Sequence, residues 1–311
     1  MSAGFKKETT WSRHYGAAVA ATLATLICWS IGPIFIKALT NCLDSFMQNL
    51  LRYAFACCLL AAGQMARIRS GRFERQVWRK AIVPAIPNVL MQTCWAAAFY
   101  YAQPGLVSML SKTSVIWVAM LSMIMFQEDR RLASSLRFWS ALCMAAIGAF
   151  GVLYFKPDFA ASASWLGIVL ILLEAIFSGA YTVSIKRYLS SVASSSAFFA
   201  VSLYTTLALA ILATAFGRPG QVLELTWLQW SYVGMSSALA IALGHTLYYA
   251  AIKRIGPTIP ALVILAQPFG VLVLSWVVFG ERMTLVQMIF GVVLLVGAAI
   301  GIWSRTDLAP E

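Results

Sequence analysis

Apolar runs of roughly 20 residues recur along the whole chain, separated by short stretches that hold nearly all the charge. About 20 apolar residues in a helix cross the roughly 30 Å hydrocarbon core of a bilayer. Inside lipid the backbone must satisfy its own hydrogen bonds, which leaves helices or a closed barrel. Barrel strands alternate apolar and polar residues, and these runs do not. The runs therefore read as transmembrane helices. Composition agrees, with 61% hydrophobic residues and only 11% charged among 311, and a mean hydropathy of +0.80. Soluble domains carry about 25% charged residues, so a water-soluble globular fold is excluded.

Ten spans can be drawn, at 15–37, 44–66, 81–101, 104–126, 134–155, 164–186, 195–216, 227–250, 257–279 and 284–304. Loops rich in Lys and Arg stay on the cytoplasmic side of a membrane. With the N-terminus inside, 17 basic residues fall on the cytoplasmic side, among them Arg67, Arg69, Arg72, Arg75, Arg79 and Lys80. The other side receives four: Lys37, Lys156, Arg218 and Arg282. Both termini are expected inside. The net charge of +12 thus reports orientation, and no nucleic-acid partner is implied. Six cysteines show no CxxC spacing and read as small packing residues.

The chain repeats itself. Ile36-Lys37 recurs as Ile185-Lys186, Tyr100-Tyr101-Ala102 as Tyr248-Tyr249-Ala250, and Phe126-Gln127-Glu128 as Phe279-Gly280-Glu281. Gly148 and Gly151 have looser counterparts in Gly297 and Gly301. The expected organisation is a cytoplasmic tail (1–14), a first five-helix repeat (15–156), a second (164–304) and a cytoplasmic tail (305–311). Five is odd, so the second repeat enters from the opposite side of the membrane. Inverted repeats characterise transporters, with the substrate site near the midplane between the halves.

Cys28-Trp29-Ser30 in the first span, and Leu265-Ala266-Gln267-Pro268-Phe269-Gly270 running on to Phe279-Gly280-Glu281 in the ninth, resemble the EamA-type drug/metabolite transporters. The first repeat departs from that pattern, with Val115 where the matching proline would fall and Gln127 in place of glycine before Glu128. The resemblance implies an all-α membrane protein of ten helices in two inverted repeats. It further implies an inner-membrane exporter of small metabolites, most similar to exporters of aromatic or other hydrophobic amino acids. Neither cofactor nor metal is implied. Monomer and homodimer both remain open.

Three ionisable residues fall near span centres, where a charge costs about 2.5–3.5 kcal/mol on insertion scales. Lys112 could meet a substrate carboxylate, and Glu174 an ammonium or a coupling proton; an internal ion pair is the bland alternative. Arg52 reads more as a packing charge. Among uncharged polar residues, Asn88, Gln92, Ser178 and Gln267 either contact substrate or stitch helices together, for about 0.6 kcal/mol each. His245 is expected to make an interfacial hydrogen bond toward the cytoplasmic end of span eight. Trp29, Trp95 and Trp117 lie away from the interfaces, and Tyr181 and Tyr248 offer hydroxyls along a central path. A cavity so lined would suit an apolar or aromatic side chain. Pro33 and Pro268 mark kinks or gates, because proline removes a helical hydrogen bond. Gly16, Ala20 and Ala24 form one small-residue seam, and Gly297 and Gly301 another.

Other function classes fit less well. A nucleotide-sugar or other anionic-metabolite carrier would want several basic residues in the pathway, and Lys112 and Arg52 are the candidates. An intramembrane lipid-modifying enzyme needs acidic clusters for metal, or a His/Arg/Ser group at the membrane surface; one midplane acid and one histidine stand on separate spans. The chain carries no Walker motif for an ATP-driven pump.

Overall fold

The structure, a computed structural model, describes residues 2–71, 73–102, 104–155, 164–279 and 284–306. Regular structure among them is helical, as backbone self-satisfaction in lipid requires. The first half holds α1 (Ser2–Leu39), α2 (Ser45–Arg69), α3 (Gln76–Tyr101), α4 (Pro104–Ser111), α5 (Ser114–Met125), α6 (Gln127–Ala133) and α7 (Leu136–Tyr154). The second holds α8 (Trp165–Leu189), α9 (Ser194–Phe216), α10 (Trp227–Met235), α11 (Gly244–Ile255), α12 (Thr258–Ile264), α13 (Gln267–Phe279) and α14 (Leu285–Thr306). Six stretches are long and apolar enough to cross a membrane, and four shorter apolar helices lie in the remaining runs. The chain is an all-α membrane protein. α1 begins at Ser2, so residues 2–14, expected as a cytoplasmic tail, are helical and run on into the first span. Lys156, Gly280, Glu281 and Arg282 lie outside the described residues.

Caps set where helices start. The Asp44 carboxylate accepts from the Phe46 and Met47 amides at the start of α2, and Thr226 with Gln229 forms a capping box on α10. Asp44 reaches further, accepting from the Arg218 amide at 2.8 Å, while its own amide donates to Gln221 Oε1. One aspartate thereby joins the α1–α2 turn to the α9–α10 connection. Gly256, at φ 77°, ends α11 in the left-handed region that a side chain would strain.

Packing follows the repeat. α1 packs on α11 and α13, and its counterpart α8 packs on α3 and α5. α2 packs on its own counterpart α9, and α7 on α14. Exchanging the halves converts each pairing into another, as a twofold relation between them requires. The α7–α14 seam depends on glycine. A Cβ on Gly148 would stand 2.4 Å from the Leu294 nitrogen, and one on Gly297 would stand 2.6 Å from the Ala145 nitrogen. The expected seam on α1 differs: Gly16 is exposed and has nothing within 4 Å of an added Cβ, so it packs against no other helix.

Two helices are broken at equivalent places. Lys112 and Thr113 separate α4 from α5, and Leu265 and Ala266 separate α12 from α13. The displacement between the breaks, 153 residues, also separates Glu128 from Glu281. Discontinuous helices free backbone groups at mid-depth, which is tolerated where they line a cavity. A third irregularity is a π-helical stretch, Ser236–Leu243, joining α10 to α11. Such insertions shift the phase of every side chain beyond them and are frequent at functional sites.

Candidate functional site: a cavity between the two repeats

The irregular segments surround a cavity of about 110 Å³. Its walls come from α1, α2, α3, α8 and α11, the two helix breaks and the π-helical stretch. Of the residues singled out from sequence, Trp29, Gln92, Trp95, Lys112 and Glu174 line it. Ser178, Tyr181, Tyr248, Gln267 and Pro33 line it as well.

Gln267 connects three elements here. Pro33 has no amide to donate to the Trp29 carbonyl, its partner in a regular helix. The Gln267 side-chain amide donates to that carbonyl instead, at 2.7 Å. Gln267 Oε1 accepts from Lys112 Nζ at 2.6 Å. One glutamine from the second broken helix thus holds α1 and the residue at the first break. α1 runs through Pro33 as one helix, its lost bond replaced by a side chain. Pro268 behaves otherwise. It sits in the first turn of α13, where a missing N–H costs nothing, and does not line the cavity.

Trp29 is held from the second repeat. Its indole Nε1 donates to the Ala240 carbonyl within the π-helical stretch, at 2.9 Å. Its ring lies 4.8 Å from Tyr248 and 5.0 Å from His245, centroid to centroid. A Cβ on Gly244 would come within 2.7 Å of Trp29 Nε1, so this approach needs glycine there. Trp95 packs edge-on to Phe99 at 4.9 Å. Aromatic rings thus form part of the cavity wall, beside aliphatic and polar side chains.

The charged groups occupy different parts of the wall. Glu174 on α8 feels Lys112 through space and lies beside Ser111, while Lys112 gives its hydrogen bond to Gln267. Arg52 on α2 is 3% exposed, with Nε donating to Ser236 Oγ at 2.8 Å.

Three placements differ from the sequence expectation. Asn88 does not line the cavity: its amide donates to Thr205 Oγ1 at 2.9 Å and to Tyr53 Oη at 3.2 Å, tying α2, α3 and α9 together. Trp117 does not line it either; its Cβ and backbone pack onto Gly179 of α8. His245 is buried in the cavity wall and not at an interface. Its Nδ1 is 3.0 Å from Tyr181 Oη, and its ring stacks on Phe198 at 4.8 Å. Arg52, read from the sequence more as a packing charge, also lines the wall. The residue type is the signal in both cases, since an ionisable group at membrane depth normally faces a cavity.

The model of the EamA-like transporter family matches this chain twice, at residues 16–154 and 165–303. The two matches are displaced by 149 residues, as Ile36-Lys37 is from Ile185-Lys186. The chain belongs to the EamA-like transporter family, and is thus a membrane transporter of small molecules built from two repeats. No curated protein matches its sequence. A crystal structure of another protein aligns with a TM-score of 0.73 at 15% identity, covering 93% of this chain and 98% of that one, and shares the fold.

Proposed function

We propose that this transporter exports amino acids with aromatic or other hydrophobic side chains across the cell inner membrane. Transport proceeds by alternating access around the central cavity. One observation carries the reading: a single cavity between equivalent repeats joins aromatic walls to charges of both signs. Trp29, Trp95, Tyr181 and Tyr248 would receive the side chain. The charged and polar groups of the same wall, Glu174, Gln92, Ser178 and Gln267 with the basic residues beside them, would receive the ammonium and carboxylate. An ordinary hydrocarbon-facing surface supports none of these groups, because each buried charge costs several kcal/mol without a partner.

The repeat explains the motion. Halves that are equivalent in sequence but inverted in the membrane can exchange conformations, which moves the opening from one side to the other. Both helix breaks lie at the cavity, where a two-residue interruption can absorb a change in backbone angle.

The test is flux from proteoliposomes loaded with a panel of labelled amino acids, with and without a pH gradient. Phenylalanine, tyrosine, tryptophan or leucine should leave faster than from protein-free vesicles, and aspartate and lysine should not. Equal rates with and without protein for the whole panel would reject the amino-acid reading.

A further inference from the structure

The described acidic side chains can each be accounted for. Asp44 caps α2 and binds the Arg218 amide, and Asp129 lies 3.5 Å from Thr258 Oγ1. Glu74 and Glu224 stand in connections outside the cavity, and Glu174, the described acid that lines it, has Lys112 as its opposing charge. Arg52 also lines the cavity and is 3% exposed. Its Nε bonds a neutral hydroxyl, its Nη1 is buried with no protein hydrogen-bond partner, and the groups acting on it through space are Tyr53 and His245. Among the described residues, then, the positive charge left uncompensated in this cavity belongs to Arg52.

A guanidinium is ionised at any physiological pH and carries five donors in a planar fork. Burying it at membrane depth without an anion is costly. A lysine could lose its proton, but arginine cannot escape the cost in that way. An anion arriving in the cavity would remove it, and a carboxylate matches the fork. We propose that Arg52, not Lys112, is the binding group for the carboxylate of the cargo. Ser236 positions it by holding Nε, so the π-helical stretch sets the direction in which the free edge of the guanidinium points. Lys112 then serves Glu174 and Gln267.

This assignment rests on the amino-acid reading for its choice of probe, but it can fail separately. Purified protein in detergent is titrated with L-phenylalanine, L-phenylalaninamide and 3-phenylpropionate, and binding is read as the rise in melting temperature. Wild type should bind both carboxylates at least about tenfold more tightly than the amide, the ratio expected for a charged hydrogen bond. Arg52→Gln should abolish that ratio while the protein stays monodisperse, and Arg52→Lys should keep part of it. Equal binding of acid and amide by wild type would overturn the assignment, as would an unchanged ratio in Arg52→Gln. If Arg52→Gln does not fold, the wild-type ratio and Arg52→Lys decide: an Arg52→Lys ratio equal to that of wild type overturns the assignment. Binding of 3-phenylpropionate without L-phenylalanine would keep the Arg52 carboxylate site and reject the amino-acid reading. Binding of none of the three would reject both.

Discussion

The side-chain amide of Gln267 replaces the backbone donor that Pro33 withholds from the Trp29 carbonyl, across the boundary between the repeats, at 2.7 Å. A proline and a glutamine 234 positions apart in sequence therefore form one structural unit. The unit predicts a coupling. Gln267→Leu leaves a buried carbonyl unpaired and releases Lys112, which should lower stability by about 1–3 kcal/mol. Pro33→Ala supplies the missing amide, so Gln267→Leu should cost less in that background. Thermal unfolding of the two single variants and the double variant measures the difference; additive losses would show that the bond is not shared in this way.

The charge pair gives a second expectation. Lys112→Met leaves Glu174 without the charge that acts on it through space and should lower the melting temperature. Adding Glu174→Gln removes the stranded charge, and the melting temperature should recover. Recovery without flux would mean that the pair also serves transport.

Trp95 and Trp117 are a matched contrast, both tryptophans of the first repeat, one in the cavity wall and the other packed on Gly179. Trp95→Ala should weaken apparent affinity for phenylalanine by roughly threefold to tenfold, the value of an aromatic contact of about 0.5–1.5 kcal/mol. Its effect on threonine should be smaller. Trp117→Ala keeps the Cβ and backbone that pack on Gly179 and should leave that preference unchanged. Competition between the two amino acids in proteoliposomes reads both.

The α7–α14 seam can be tested by stability alone. Gly148→Ala drives a methyl group into the Leu294 backbone and should cost about 1–3 kcal/mol. Gly16→Ala meets nothing and should be neutral or slightly stabilising, since alanine is the better helix former. Equal effects would mean that the seam is looser than this geometry.

Membrane orientation follows from the distribution of basic residues. In a cysteine-free background, an impermeant maleimide added outside intact cells should label Gly220→Cys and leave Ser70→Cys unlabelled. The reverse pattern would invert the protein and move the lysine- and arginine-rich loops outside.

Much of the fold was legible because lipid imposes a simple rule. Backbone groups must pair within their own segment, so apolar run length marks where helical chain lies, as Trp165–Leu189 shows by overlapping the expected 164–186 at all but its first residue. The repeat was legible because duplicated sequence keeps its spacing, and Ile36 and Ile185 carry the displacement that the family matches reproduce. Placement at the cavity was legible for Lys112 and Glu174, since ionisable residues in mid-span have few places to go. Tertiary structure decided which face of a helix meets the cavity. A regular period places His245 by counting, but the π-helical stretch at Ser236–Leu243 shifts the phase just before it, and no residue in that apolar segment announces the shift. Asn88 and Gln92 are one helical turn apart on α3, yet Asn88 meets Tyr53 and Thr205 while Gln92 meets the cavity. Hydrophobicity sorts residues into membrane and water. Only the packing of one helix against another sorts polar side chains, all at the same depth, into those that bind each other and those that face open space.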